Sequence, residues 1–316
     1  MNTITETGHM YDCRQAYAQT LLDIARHDER LVVVTNDSVG SSSLGEFRQE
    51  MPGRLVNVGI AEQNQVGVAA GLENGGKVPV VSCAGSFLSA RATEQVKIDT
   101  AYSRRHVLLC AQSPGLAYGA LGSTHHSAED VSIMRAIPGM TVIVPADPAE
   151  TAGAVRWAYE QLDGPAYIRV SRMKVPAVHA EDYAFTPRAV VLHEGTDLTV
   201  IANGVTVHRA VQAVTQLARE GISVRLLSVP VVKPLDEEAV LAAARETVGI
   251  ITVEEGTVKG GLGGAVAELT ASRHPVPVRR VGVPDEFAPT GSESWLMDHW
   301  GISAEGIIAA AKDLLA

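Results

Sequence analysis

Residues 56–72 read Val-Asn-Val-Gly-Ile-Ala-Glu-Gln-Asn-Gln-Val-Gly-Val-Ala-Ala-Gly-Leu, and their change of period marks a strand followed by a helix. Leu55 to Val58 is a short apolar run of strand character, and Gly59 ends it. From Ala61 the period becomes helical, with Val66, Ala69, Ala70 and Leu72 near one face. Glu62 and Gln63 therefore fall in a first helical turn, at a strand-to-helix corner, the place where ligands bind in open α/β sheets. The small residues Gly67, Ala69, Ala70 and Gly71 allow close packing against this helix. On pattern alone Glu62 reads as an ordinary first-turn acid complementing the helix dipole, since acids are enriched there. The pattern alone does not choose between a structural and a chemical acid.

On either side of this corner, strand and helix patterns alternate. Helix 10–28 precedes strand 31–35, and a Gly/Ser-rich loop runs to Gly45. After the 55–58 strand and 61–74 helix come strand 78–82, helix 87–101, strand 106–111, helix 129–136, strand 141–144, helix 148–162 and strand 166–170. This order predicts an α/β domain, a mostly parallel sheet with helices on both faces, over residues 1–175. Residues 176–195, holding Pro176 and Pro187 and no clean period, read as a linker. A second alternating set, from strand 198–202 to helix 303–315, predicts a smaller α/β domain over 196–316.

Composition excludes several classes. The net charge is 26 − 36 = −10, with no basic block, so there is no electrostatic footprint for nucleic acid. No apolar run approaches the ~20 residues of a membrane span. The start, MNTITETGHMYD, is too polar and acidic for a signal or transit peptide. Three scattered cysteines, Cys13, Cys83 and Cys110, suit neither a disulfide framework nor a metal site, so the cytoplasm is the expected location.

VGIAEQNQVGVAAGL, continued by GGKVPVVSCAGSFLSARATEQVKIDTAY, resembles the pyrimidine-domain signature of the transketolase family of thiamine-diphosphate enzymes. The resemblance covers essentially the whole chain but only the second half of a transketolase. It implies that Glu62 bonds a ring nitrogen of the cofactor's aminopyrimidine, so that the cofactor can become a nucleophilic ylid. A carboxyl group beside an apolar ring is expected to have its pKa raised by desolvation. Phe87 matches the family's aromatic wall, with Leu88 the neighbouring alternative. Arg91 and Glu94 read as a pair on a helix face rather than as site groups.

The family's metal motif, Gly-Asp-Gly with a downstream Asn, is absent, since Asp163-Gly164 follows Leu162. The resemblance therefore implies that Mg2+ and the diphosphate are held by a separate N-terminal diphosphate-binding subunit, in an α2β2 assembly. SPGLAYGALGSTHHSAED, residues 113–130, resembles the family's substrate loop, and His125 matches its substrate-binding His. Adjacent to His126, it makes a poor metal pair. Two positions depart from the pattern: Leu121 stands for an Asp that bonds a donor hydroxyl, and Ser113 for a His. Losing hydrogen-bonding groups changes which hydroxyl pattern a site rewards. A modified or branched sugar is therefore expected. Arg14, Ser41 and Arg172 match anion-binding positions, and guanidinium forks suit phosphate or sulfonate. Asp37, at a strand end, matches a position close to the cofactor. EEGTVKGGLGG, from Glu254 to Gly264, lacks a full nucleotide fingerprint and reads as a structural corner.

These readings lead to the C-terminal subunit of a split transketolase, moving a two-carbon ketol unit from an anionic ketose to an aldose. Two alternatives stand beside it. One is the beta subunit of the decarboxylating component of a 2-oxoacid dehydrogenase. The other is a non-catalytic regulatory subunit that kept the fold.

Overall fold

Leu31–Thr35 is a run of branched aliphatics ending in Thr, and every one of its residues is buried. Such a strand needs cover on both faces, which parallel sheets with flanking helices provide. The computed structural model describes residues 9–316, so most of the polar N-terminal stretch lies outside the described residues.

The described residues form fourteen strands, numbered in chain order. They are β1 (Tyr11–Asp12), β2 (Leu31–Thr35), β3 (Leu55–Asn57), β4 (Val78–Ala84), β5 (Leu108–Gln112), β6 (Thr141–Ile143), β7 (Ala166–Val170), β8 (Lys174–Val175), β9 (Val190–His193), β10 (Leu198–Ala202), β11 (Val224–Ser228), β12 (Val231–Lys233), β13 (Ile250–Thr257) and β14 (Val278–Val283). The larger sheet has the order β12-β6-β7-β5-β4-β2-β3 and the smaller β14-β13-β10-β11-β9, while β1 and β8 pair separately. All pairings within the larger sheet are parallel except β12 with β6. The smaller sheet is parallel except for β11 with β9. The fold is thus α/β in two domains.

Three features depart from the expected elements. First, 87–101 is not an α-helix throughout. Phe87–Arg91 and Val96–Tyr102 are π-helical, with one α turn, Thr93–Gln95, between them. Wide turns of this kind concentrate at functional sites. Second, β9 lies inside the stretch read as linker and closes an edge of the smaller sheet. Third, β12 crosses from the second domain to the edge of the larger sheet, where Val144 N–H donates to Pro230 O at 2.7 Å. The two domains also share a core. Cys13, Leu116, Ala117 and Met173 of the first pack with Val200, Val253 and Leu296 of the second. No helix among the described residues is long and apolar enough to cross a membrane.

Candidate active site

Helix Glu62–Asn74 starts directly after the β3 corner, where Gly59 takes a φ of +74° that suits glycine. Gln65 fixes the helix to the sheet, its Nε2 donating to Val34 O at 2.7 Å and Ser82 O at 3.1 Å. Val66 and Ala69 bury the same face. The fixed helix start holds the Glu62 side chain inside the protein, with the residue 1% exposed.

A buried carboxylate needs donors. Asn36 Nδ2 gives one to Oε1 at 2.8 Å, and Arg91 Nη1 gives one to Oε2 at 2.6 Å. Asn36 is itself steadied by Ser38 Oγ, which donates to its Oδ1 at 2.7 Å. Burial pushes the Glu62 pKa up, but the Arg91 hydrogen bond, the helix-start N–H and Asn36 outweigh it, so the net shift is downward. The expected upward shift is thus reversed. Nor is Arg91 half of a helix-face pair: it is turned towards Glu62, while Glu94 accepts from Gln95 instead.

From Glu62 a chain of side-chain contacts runs through Arg91, Phe87, His125 and Tyr118 to Arg172. The Arg91 guanidinium sits over the Phe87 ring at 4.7 Å. Phe87 meets His125 edge-on at 5.3 Å between centroids, and Tyr118 meets His125 at 5.6 Å. Arg172 covers Tyr118 at 5.2 Å. Leu88 is wholly in the core, so Phe87 is the residue that meets His125. His125 Nδ1 is engaged by Thr124 Oγ1 at 3.0 Å, which leaves Nε2 free of that contact. His126 points elsewhere, buried with Nε2 against Gly119 O at 3.3 Å.

The anion-binding candidates are placed unevenly. Arg14 and Arg172 line one cavity of about 500 Å3 together with Lys174, His208, Arg209 and Glu293. Arg14 is already engaged there, Nη2 on Asp12 Oδ2 at 2.5 Å and Nη1 on Ser41 O at 2.8 Å. Ser41 Oγ donates to Ser38 O at 3.1 Å. Ser113, with φ +52° and 0% exposure, is buried at the end of β5 and is not among the residues lining that cavity. Asp37 takes a φ of +69°, accepts from Asn57 Nδ2 at 3.1 Å, and ties the end of β2 to β3. It is Asn36, one residue earlier, that reaches Glu62. Asn36, Arg91 and Tyr118 are the site residues that the sequence reading missed. Their contacts span 26, 29 and 7 residues of chain, so no local pattern signals the first two. Among the described residues no group of three His, Cys, Asp or Glu side chains is arranged to hold a metal ion.

The chain belongs to the transketolase family. Residues 9–178 match the transketolase pyrimidine binding domain and residues 188–307 the transketolase C-terminal domain. It is 44% identical over 310 residues to one subunit of the apulose-4-phosphate transketolase of Phocaeicola vulgatus, covering 98% of this chain and 99% of that one. It is 42% identical over 305 residues to a subunit of the 6-deoxy-6-sulfo-D-fructose transketolase of a Clostridium species, covering 95% of this chain and 94% of that one. A solved split-gene transketolase, described as an inactive beta4 tetramer, superposes with a TM-score of 0.88 at 38% identity over 96% of this chain and 97% of that one. The family implies thiamine diphosphate as cofactor. The residues present fit its aminopyrimidine: a buried carboxylate with spare oxygen lone pairs, linked through Arg91 to an aromatic ring.

Proposed function

We propose that this chain is the pyrimidine-binding subunit of a two-polypeptide transketolase that transfers a two-carbon ketol unit from an anionic, non-standard ketose to an aldose. The observation that carries the reading is the buried Glu62 carboxylate at a helix start, joined through Arg91 to the Phe87–His125 pair. Thiamine diphosphate, when bound, supplies the carbon nucleophile that breaks and remakes the bond beside the ketose carbonyl. Glu62 would hold its aminopyrimidine through an oxygen lone pair not used by Asn36 or Arg91. Phe87 and Asp37 would border the cofactor. His125 Nε2 would bond substrate oxygens. Arg172, together with Arg14 and Ser41, would receive the terminal phosphate or sulfonate, with Ser113 shaping the buried end. Among the described ion pairs Arg14 is matched by Asp12, whereas Arg172 has no carboxylate partner, so Arg172 carries the charge.

The diphosphate and Mg2+ would be held by an N-terminal partner subunit in an α2β2 assembly. Relatives named as single subunits of transketolases, and a beta-only tetramer described as inactive, support a need for that partner. The substrates named for the relatives, apulose-4-phosphate and 6-deoxy-6-sulfo-D-fructose, support a modified sugar. The same relatives favour ketol transfer over 2-oxoacid decarboxylation. Three free, buried cysteines fit a reducing compartment such as the cytoplasm.

The test is reconstitution with the diphosphate-binding partner, Mg2+ and thiamine diphosphate, assayed on a panel of ketose phosphates and sulfonates. Transfer in the complex and none by the chain alone is expected. Glu62→Gln should lower turnover by about 10²-fold or more, and full activity in that variant would end the proposal.

A further inference from the structure

The loop that carries Tyr118 and His125 belongs to the first domain in sequence, but the second domain holds it. Its backbone leaves β5 through Ser113 at φ +52° and Gly115 at φ +61°. It then passes so close to β13 that a Cβ on Gly115 would collide with the Glu255 carboxylate. Glu255 is 3% exposed, and its Oε1 accepts the Leu116 N–H at 2.6 Å. Leu116 and Ala117 are buried against Val253, Val283 and Leu296 of the second domain. Further along, Ser123 Oγ donates to Ala288 O at 2.7 Å, and Gly291 N–H donates to Gly119 O at 3.3 Å. Tyr118 lies between these ties, and His125 follows the last of them.

A buried carboxylate is costly unless its partners offset the loss of water. The guanidinium nearest to Glu255 is only a partial partner. Arg169 is 4% exposed and spends its fork on Asp130, with Nε to Oδ2 at 3.0 Å and Nη2 to Oδ1 at 2.9 Å. Its Nη1 donates to the Glu255 main-chain oxygen at 2.9 Å and stays 3.9 Å from the carboxylate. Among the described residues the Leu116 N–H is the one hydrogen bond to the Glu255 carboxylate. The acid's shortest polar contact is thus with the loop.

We propose that Glu255 is a positioning residue for the donor-sugar site. By holding the Leu116 N–H it sets the loop register that places Tyr118 against His125 and under Arg172, so the second domain takes part in donor recognition. This inference rests on reading the chain as a ketol-transfer subunit. Glu62 is anchored separately, by the β2 end and the Phe87–Arg91 π turn. Loss of Glu255 should therefore strike donor binding and spare cofactor binding.

The experiment compares wild type, Glu255→Gln and Glu255→Leu. Gln retains an acceptor for the Leu116 N–H, and Leu does not. In Glu255→Leu, amide hydrogen exchange at 116–118 of the chain alone should speed about tenfold or more. In the complex with the diphosphate-binding partner, the donor KM should rise about tenfold, while thiamine diphosphate affinity stays within about threefold. Glu255→Gln should restore exchange and KM together. An unchanged donor KM in Glu255→Leu, or a Gln variant as impaired as Leu, overturns the proposal. Should Glu255→Leu fail to assemble, Gly115→Ala displaces the same contact from the loop side with the acid intact, and a wild-type donor KM there overturns it. A wild-type complex that transfers no ketol unit refutes the functional reading instead, and the exchange measurement on the chain alone still reports whether the tie exists.

Discussion

Replacing Arg91 with Leu should raise the pKa of Glu62 and weaken the fold at neutral pH by about 1 kcal/mol. The magnitude follows from the geometry. Arg91 Nη1 donates to a carboxylate oxygen at 2.6 Å, the distance of a charge-assisted hydrogen bond, worth roughly 1.5–3 kcal/mol when both partners are buried. The Arg91 side chain is 48% exposed, so solvent screening reduces that to about 1 kcal/mol. Burial, which opposes ionisation of Glu62, remains after the substitution, and Asn36 then stands as its main side-chain donor. The same geometry gives the sign for stability. A carboxyl group whose folded pKa is depressed stabilises the fold above its unfolded pKa, and that contribution fades as pH falls through the folded value. Arg91→Leu should therefore lose about 1 kcal/mol at neutral pH and less in acid. The assay is a 13C titration of the glutamate carboxyl carbons in the chain alone, with Glu62→Gln assigning the resonance. A wild-type midpoint below the ordinary glutamate range, moving up in Arg91→Leu, is expected. A midpoint that stays put, or a wild-type value already above that range, refutes the electrostatic account of this corner.

Further outcomes are open to measurement. Leu121 is 54% exposed, so Leu121→Asp should fold normally and shift the donor preference of the complex towards an ordinary ketose phosphate by about tenfold, read as a ratio of kcat/KM values. Asp147 is fully buried and accepts from the N–H groups of Glu150, Val178 and His179 at 2.9, 2.7 and 2.7 Å. Asp147→Ala should cost about 3–5 kcal/mol in denaturant unfolding, because it also strands the buried His179. Burial raises the Glu150 carboxyl to about 7; burial pulls the His179 imidazole down, but the Asp147 hydrogen bond and the two acids outweigh it, so its net shift is upward. Both groups bind protons more tightly folded than unfolded, so stability should fall as pH rises from about 5 to 8. Thermal melts should show the slope, and Glu150→Gln should flatten it below pH 7. A flat wild-type profile contradicts this.

Local periodicity is enough to place the helix that begins at Glu62 and the alternation that makes two α/β domains, because a helix or strand advertises its buried face in a few consecutive residues. It fails where neighbours in space are distant in sequence. The π turns at 87–91 and 96–102 carry a helical apolar pattern that does not distinguish them from an α-helix. The edge strand Val231–Lys233 is too short to separate from a loop until Thr141–Ile143 supplies its partner. The Glu62 corner divides in the same way. That an acid begins this helix is written in residues 59–66. That the acid is buried, and that its pKa falls rather than rises, depends on Asn36 and Arg91, which the sheet and the π turn bring to it. Desolvation alone follows from a residue's own burial, but its balance against charge depends on which donors fold around it. Residue order was therefore sufficient for most of the elements, their succession and the family. The meeting of side chains was left to packing, including the reach of the second domain's Glu255 into the loop of the first. Hydrogen bonds act over about 3 Å of space, whatever length of chain separates the partners.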